Sequence, residues 1–382
     1  MTLRAALLGL SLAALAGLAQ AEGQAPDPAA AARAAADRLD KATRGLDAAE
    51  SARDRVKALS ETIRAFEDGL AAMREGLRRA SIREQALTRE LQAREGEISR
   101  LLGVLLSSGD GRNPTALLHP AGPLGTARAG MILSDVTPAL NTRVTELKAK
   151  LDEVSTLRKL QDSARETLQE GLEGVQEART QLSQAVADRK TLPRRFTEDP
   201  VKTALLIASS ETLQGFASGL SDIAVNEAEG SLPDISHRKG KLALPVQGRV
   251  LRGFMGSDAA GIKRPGIIVA TRPRALVSTP AAATIRYHGP LLDYGNVMIL
   301  EPQSGLLFVV AGLDVVYGET GQVLPAGSPI GLMGGTDPAI GEIVTQSGEG
   351  AGADRTETLY IEVREDNVPT DPMAWFSTAK DG

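Results

Sequence analysis

The sequence predicts an α+β multidomain protein, with a long antiparallel helical coiled-coil hairpin, a short regulatory helix and a mostly antiparallel β-domain. Three observations carry this expectation. Residues 29–106 are rich in Ala, Leu, Arg, Glu and Gln, and their apolar positions step by four and three. Residues 107–125 are rich in Gly, Pro and Ser and can reverse the chain. From Lys241 onward the pattern changes to short β-type runs, Gly266 to Ala270, Tyr294 to Leu300, Leu306 to Ala311 and Leu359 to Val363, punctuated by Gly and Pro. The expected organisation is a signal peptide over 1–21, a helical hairpin over 22–192 with helices about 29–106 and 126–192, a regulatory helix and linker over 193–240, and a β-domain over 241–382.

The chain starts Met1-Thr2-Leu3-Arg4, runs apolar from Ala5 to Leu18, and continues Ala19-Gln20-Ala21. A positive charge, an apolar core and small residues in that order predict a secretory signal peptide cut after Ala21. The apolar run is too short for a comfortable membrane span, so a periplasmic location is expected. The chain has no cysteine, which excludes a lipidated cysteine, a disulfide and thiol catalysis. A formal net charge of -5 argues against a nucleic-acid partner, which would call for a basic face. An aromatic content of 3% is low for a chain built wholly of compact domains and suits a long exposed helical part.

In the first helix Leu59, Ile63, Phe66, Leu70, Met73, Leu77, Leu87 and Leu91 fall on one heptad seam, continued by Ala80 and Ile98 and interrupted by Glu84 and Arg94. Leu140, Val144, Leu147, Leu151 and Val154 keep the same step in the second. Two such helices joined by a short reversal pair most simply within one chain, the alternative being dimerisation through the same seams. The predicted tip holds Leu105, Leu106, Leu117 and Leu118, more apolar surface than one seam needs. It either closes the hairpin as a small local core or docks on a partner.

Asp199-Pro200 is a helix start, with Asp as N-cap and Pro at the first helical position. Leu206, Leu213, Phe216 and Leu220 then recur at helical spacing and predict one short amphipathic helix, either a bracket between coil and β-domain or a detachable plug. His119, His237 and His288 are the only histidines, and none stands beside a Gly-x-Ser-x-Gly elbow. Gly348-Glu349-Gly350-Ala351-Gly352 resembles a phosphate cradle only superficially, since no helix start follows it, and reads as loop.

An ordered series of landmarks in the last third resembles the LytM-type zinc endopeptidase family. Leu244 to Val250 resembles that family's first strand, and Arg264-Pro265-Gly266-Ile267-Ile268 stands where its His-x-Gly-x-Asp segment is expected. Val310-Ala311-Gly312-Leu313 takes the place of Tyr-Ala-His-Leu, and Thr358-Leu359-Tyr360-Ile361-Glu362-Val363-Arg364 that of His-x-His-Phe-Glu-Val-Arg. Asp371-Pro372-Met373-Ala374-Trp375-Phe376 matches the closing segment. The resemblance implies a LytM-like, duplicated-hybrid-motif fold whose ligand positions hold Arg264, Ile268, Gly312, Thr358 and Tyr360. Zinc needs three or four N, S or carboxylate ligands, so no metal, no cofactor and no catalytic residue is expected.

Signal peptide, coil, short helix and ligand-stripped domain together resemble the EnvC-like murein hydrolase activators. That resemblance implies a non-enzymatic periplasmic protein of the division septum, whose degenerate groove activates N-acetylmuramoyl-L-alanine amidases that split septal peptidoglycan in daughter-cell separation. It implies a coil held by an FtsEX-type, ABC-transporter-like complex, with peptidoglycan itself as a further contact. The groove is expected at Lys263, Arg264, Ile268, Gly312, Thr358, Tyr360 and Arg364. Control is expected from Leu206, Leu213, Phe216 and Leu220, and coil-tip docking from Leu105, Leu106, Leu117 and Leu118. The alternatives are an active LytM-type zinc endopeptidase and a peptidoglycan-binding structural spacer.

Overall fold

A computed structural model describes residues 28–94, 96, 99–100, 122–189, 192–220, 224–225, 233–257, 261, 263–337 and 356–377. The expected signal peptide, the tip leucines Leu105, Leu106, Leu117 and Leu118, His119 and the glycine-rich 348–352 stretch lie outside these residues. The chain packs as two units, one formed by residues up to Arg74 with those from Leu168 onward, the other by Glu75–Thr167.

Three helices supply the α part: α1 (Pro28–Asp47), α2 (Ala52–Ala93) and α3 (Gly122–Ala187). The first helix expected from the heptads therefore does not run unbroken from 29. It ends at Asp47, and α1 folds back on α2, with Arg38 paired to Asp68 and Ala35 against Gly69. The cause is a cap at the start of α2. The Ser51 hydroxyl accepts from the Asp54 amide at 3.1 Å and bonds the Asp54 carboxylate at 2.6 Å, which satisfies an orphan helix donor and starts a new helix. Ala35 and Ala42 are almost fully buried along this contact, where only small side chains fit between close helices.

Within Glu75–Thr167, α2 and α3 run antiparallel. Ala80, Leu87, Val154 and Leu157 form the seam, with Leu91 and Leu160 packed against it. Arg158 binds Glu84 at 3.0 Å and Lys150 binds Glu90 at 2.6 Å, so rising numbers on α2 meet falling numbers on α3. Leu151, expected on the seam, is 52% exposed. The buried series steps instead through Val154, Leu157, Leu168, Val175, Ala178, Leu182 and Ala185, a three-four register that places Lys150 rather than Leu151 beside α2.

In the other unit the start of α2 and the end of α3 pair through Leu59, Ile63, Leu70, Leu168, Val175 and Leu182. Gly174 is what admits Phe66, since a Cβ there would stand 2.7 Å from the phenyl ring. This helical base is bonded directly to the β-domain. Buried Glu67 accepts from the Leu276 amide at 3.1 Å and pairs with Arg179, whose second nitrogen reaches Asp337 at 2.8 Å. Arg64 donates to Ser278 Oγ at 2.6 Å and to the Gly327 carbonyl at 2.8 Å.

After α3 come β1 (Thr197–Glu198), α4 (Pro200–Ser209), α5 (Leu213–Gly219) and β2 (Ala224–Val225), with β1 and β2 paired antiparallel. The single amphipathic helix expected here is two. Asp199 caps α4 by accepting from the Val201 and Lys202 amides, and Thr212 caps α5 by accepting from the Gly215 amide. A second N-cap within the segment restarts the helix, as at Ser51.

The β-domain comprises β3 (Gly248–Arg252), β4 (Ile267–Thr271), β5 (Leu276–Ser278), β6 (Ala283–Pro290), β7 (Asn296–Gln303), β8 (Leu306–Val316), β9 (Val323–Leu324), β10 (Pro329–Met333), β11 (Glu357–Glu365) and β12 (Val368–Thr370). The main sheet has the order β3-β4-β11-β8-β7-β6-β9, every pair antiparallel, with β10 bridging β5 and β8. Alternation assigns its two faces. Ile267, Val269, Phe308, Val310, Leu359, Ile361 and Val363 point into the domain core with Trp375 and Phe376. Ile268, Leu307, Val309, Ala311 and Tyr360 point to the opposite face.

Candidate functional site

The five positions expected to correspond to zinc ligands meet on this second face. β11 lies between β4 and β8, with Tyr360 opposite Ile268 on one side and Ala311 on the other, and Thr358 opposite Ala270. Gly312 follows Ala311, and a Cβ on it would fall 2.9 Å from the Thr358 carbonyl oxygen. Arg264 precedes β4, half-buried, with its guanidinium carbon 5.3 Å from the centre of the Tyr294 ring. Tyr294 in turn lies 5.8 Å from Tyr360, completing a cation-aromatic-aromatic stack. Gly266 lets the stack close on the sheet, since a Cβ there would stand 2.5 Å from the Tyr360 ring.

This donor set does not fit a zinc ion. Arg264 is a cation, Ile268 is hydrocarbon, Gly312 has no side chain, and Thr358 is an exposed neutral hydroxyl. Tyr360 is the one group with ligand potential, and its hydroxyl donates to Glu362 Oε2 at 2.6 Å. Burial first, and then the Glu362 charge, push its pKa far above the usual phenol value, so the phenolate needed for ligation is disfavoured. Among the described residues no group of three or more His, Cys, Asp or Glu could hold a metal ion.

Of the other expected groove residues, Lys263 is exposed at the lip, in a bridge with Ser257. Arg364 is not available to a partner. It is 1% exposed, and its guanidinium donates to Glu362 Oε1 at 2.6 Å and to the Asn367 carbonyl at 2.5 Å. Its position on β11 suggested a surface cation. A buried carboxylate two residues away draws it inward instead, because a buried charge demands a charged partner.

The residues expected to exert control sit on the same face. Leu213, Phe216, Ala217 and Leu220 are buried against Tyr287, Leu291, Val297, Ile299, Leu307, Val309, Ala311 and Tyr360, with Leu206, Ile207, Ile268 and Tyr294 packed at the margin. Phe216 meets Tyr287 edge to face at 4.7 Å. Leu206 of α4 packs on Gly219 of α5, tying the two helices together. α5 therefore covers part of the sheet face on which the five positions lie, while Gly312 and Thr358 stay exposed.

Sequence reasoning missed the residues that deliver α4 and α5 to this face. Arg195 donates its amide to the Gly321 carbonyl at 2.8 Å and its guanidinium to Glu301 at 2.6 Å, and Arg286 shares that carboxylate. Phe196 lies under the Arg286 guanidinium at 4.8 Å, and the Val323 amide donates to the Pro193 carbonyl at 2.9 Å. The only signal was an Arg-Arg-Phe triplet in an otherwise polar stretch. His288, half-buried on β6, feels the charge of Glu198 on β1. His237 is exposed in a short 3₁₀ turn.

No family model matches the chain. A segment of 148 residues is 28% identical to an uncharacterized protein, NMB1333, of Neisseria meningitidis serogroup B, covering 38% of this chain and 22% of that protein. Among solved structures, Csd3 of Helicobacter pylori is similar over 36% of this chain and 35% of its own, at 19% identity and a TM-score of 0.27. A zinc-containing peptidase from Vibrio cholerae is similar over 37% and 40%, at 21% identity and a TM-score of 0.28. The catalytic domain of lysostaphin from Staphylococcus simulans matches over 33% and 90%, at 17% identity and a TM-score of 0.26. The structural neighbours thus include peptidase domains, one of the M23 kind, and each likeness spans about a third of this chain.

Proposed function

We propose that this protein is a non-enzymatic periplasmic activator of N-acetylmuramoyl-L-alanine amidases, acting in septal peptidoglycan splitting and daughter-cell separation. The observation that carries the reading is the ligand set itself. Arg264, Ile268, Gly312, Thr358 and Tyr360 share one sheet face, and at the positions that the resemblance assigns to zinc ligands they offer a cation, an aromatic stack and open backbone. A face shaped for an extended peptide keeps its capacity to bind a partner segment after its metal is lost.

In this reading α5 is the control element. It lies over part of the face that the amidase would use, and its release would favour the bound state. The helical part would extend as a coiled-coil hairpin to an FtsEX-type membrane complex, with Leu105, Leu106, Leu117 and Leu118 as its docking tip and peptidoglycan as a further contact.

The test uses the full mature chain, a panel of purified periplasmic amidases and labelled sacculi. Leu213→Asp with Phe216→Asp is expected to raise amidase activity above that obtained with the unaltered chain, and adding Arg264→Glu is expected to abolish the gain while the domain stays folded. Activation that ignores both changes would remove the groove from the mechanism. One tightly held zinc per chain, lost together with cross-link cleavage on chelation, would establish an endopeptidase instead. Sacculus binding without any effect on an amidase would establish a structural spacer.

A further inference from the structure

Arg189, just past the end of α3, is 6% exposed. Its Nε is sealed from solvent and bonded to nothing, and no acid pairs with it among the described residues. A guanidinium buried without a counter-charge is costly, and proteins retain one where a ligand supplies the missing charge. A like charge aggravates the cost. Arg53, exposed on the first turn of α2, carries the same sign, and burial together with that neighbour lowers the Arg189 pKa.

Arg189 borders a cavity of about 500 Å³, walled by Val186, Val316, Tyr317 and Gln322 and by the Arg194–Glu319 ion pair. The Tyr317 hydroxyl is bonded to Ser183 Oγ at 2.9 Å, so the polar wall is held in place. The volume lies within the ~300–1,000 Å³ range of small-molecule sites and far exceeds the need of an inorganic ion. The apolar residues provide for an organic body. Glu319 on the wall opposes a second negative charge, and Arg53, being exposed, is screened by water.

We propose that this cavity binds a small organic molecule through its carboxylate, which Arg189 receives in a forked pair of hydrogen bonds. A guanidinium matches a carboxylate in two parallel bonds where an ammonium cannot. The site lies where the end of α3, the linker at Arg194 and the 317–322 loop of the β-domain meet. An occupant would therefore fasten these three elements together. The proposal does not rest on the amidase reading and concerns a different region of the molecule.

Calorimetric titration of the full mature chain at fixed ionic strength tests it, with N-acetylalanine, N-acetylalaninamide and inorganic phosphate as probes. N-acetylalanine is expected to bind with a Kd of about 1 mM, and the amide at least about tenfold more weakly. Arg189→Met is expected to remove carboxylate binding while leaving the melting temperature equal or higher, since it deletes an unpaired buried charge. Arg189→Lys keeps the charge without the fork and is expected to bind about fivefold more weakly. The proposal is overturned by equal binding of acid and amide, by binding that survives Arg189→Met, by a preference for phosphate, or by no heat with any probe up to about 50 mM. A lowered melting temperature in Arg189→Met with unchanged binding in Arg189→Lys would make Arg189 a structural cation and equally overturn it.

Discussion

The Tyr360 hydroxyl donates to one oxygen of Glu362 at 2.6 Å, and the other oxygen of Glu362 accepts from Arg364 at 2.6 Å. All three side chains are buried. The arrangement ties up the Tyr360 oxygen as a donor to a structural carboxylate. Tyr360→Phe leaves Glu362 short of one charge-assisted bond, which costs about 1.5–3 kcal/mol. Urea unfolding is expected to show that loss in the midpoint with an unchanged slope. A midpoint within error of the unaltered chain would mean that the bond contributes nothing to stability.

Gly312 and Thr358 stand side by side at the centre of the face, yet they are expected to tolerate substitution very differently. Gly312 has φ of 94°, outside the range that side chains accept readily, and its missing Cβ would press on the Thr358 carbonyl. Gly312→Ala is expected to destabilise by about 1–3 kcal/mol through strain of that kind. Thr358→Ala, at an exposed position, is expected to stay within about 0.5 kcal/mol of the unaltered chain. Thermal unfolding of the two variants decides the matter, and equal losses would contradict the strained conformation at Gly312.

His288 supplies a pH dependence whose sign follows from its surroundings. Burial on β6 lowers its pKa in the folded protein, and the Glu198 charge only partly opposes this. The unfolded chain then takes up the proton more readily than the folded one. Its contribution is fully present above about pH 6.5 and is lost as pH falls from there through the folded-state pKa. His288→Gln is therefore expected to flatten the fall in melting temperature between about pH 7 and pH 5. An unaltered pH profile in that variant would place the dependence on other groups.

What the sequence made legible follows from which physical rule acts alone. Leu59, Ile63, Leu70, Leu77 and Leu87 are buried where the heptad step put them, because a long helix with an apolar stripe has few other ways to hide it. The β-runs around Ile267, Val310 and Ile361 were readable for the same reason, and their pairing brought Ile268, Thr358 and Tyr360 onto one face. The break at Ser51 was hidden because the flanking alanines favour helix on both sides and only the Ser51–Asp54 cap marks a restart. Leu151 misled because hydrophobicity chose it over Lys150, whereas the geometry of α3 seats the Lys150 stem beside α2 and pairs its tip with Glu90. Arg364 misled in the opposite sense, and Arg195 was missed for the same cause. Each is a charge that composition assigns to the surface, and each is drawn inward by a carboxylate, Glu362 or Glu301, that no linear spacing announces.

For the proposed release of α5, the Arg195 bonds set a limit. The linker before α4 is bonded to the sheet edge through Arg195, Phe196 and the Pro193 carbonyl, so force on α3 loads those bonds before it reaches α5. Release is accordingly expected to begin at the α5 contact itself. Phe216 is fully buried against Tyr287, and truncating a buried Phe costs about 3–5 kcal/mol, enough to undo a short two-turn helix held by four apolar side chains. Phe216→Ala is therefore expected to make the 199–224 segment cleavable by trypsin at Lys202 while the β-domain stays resistant. Arg195→Ala is expected to loosen the linker but to leave Phe216 protected, as read by hydrogen exchange in α5. Equal protection of α5 in Phe216→Ala and in the unaltered chain would show that the helix is held by contacts other than its Leu213–Phe216–Leu220 face.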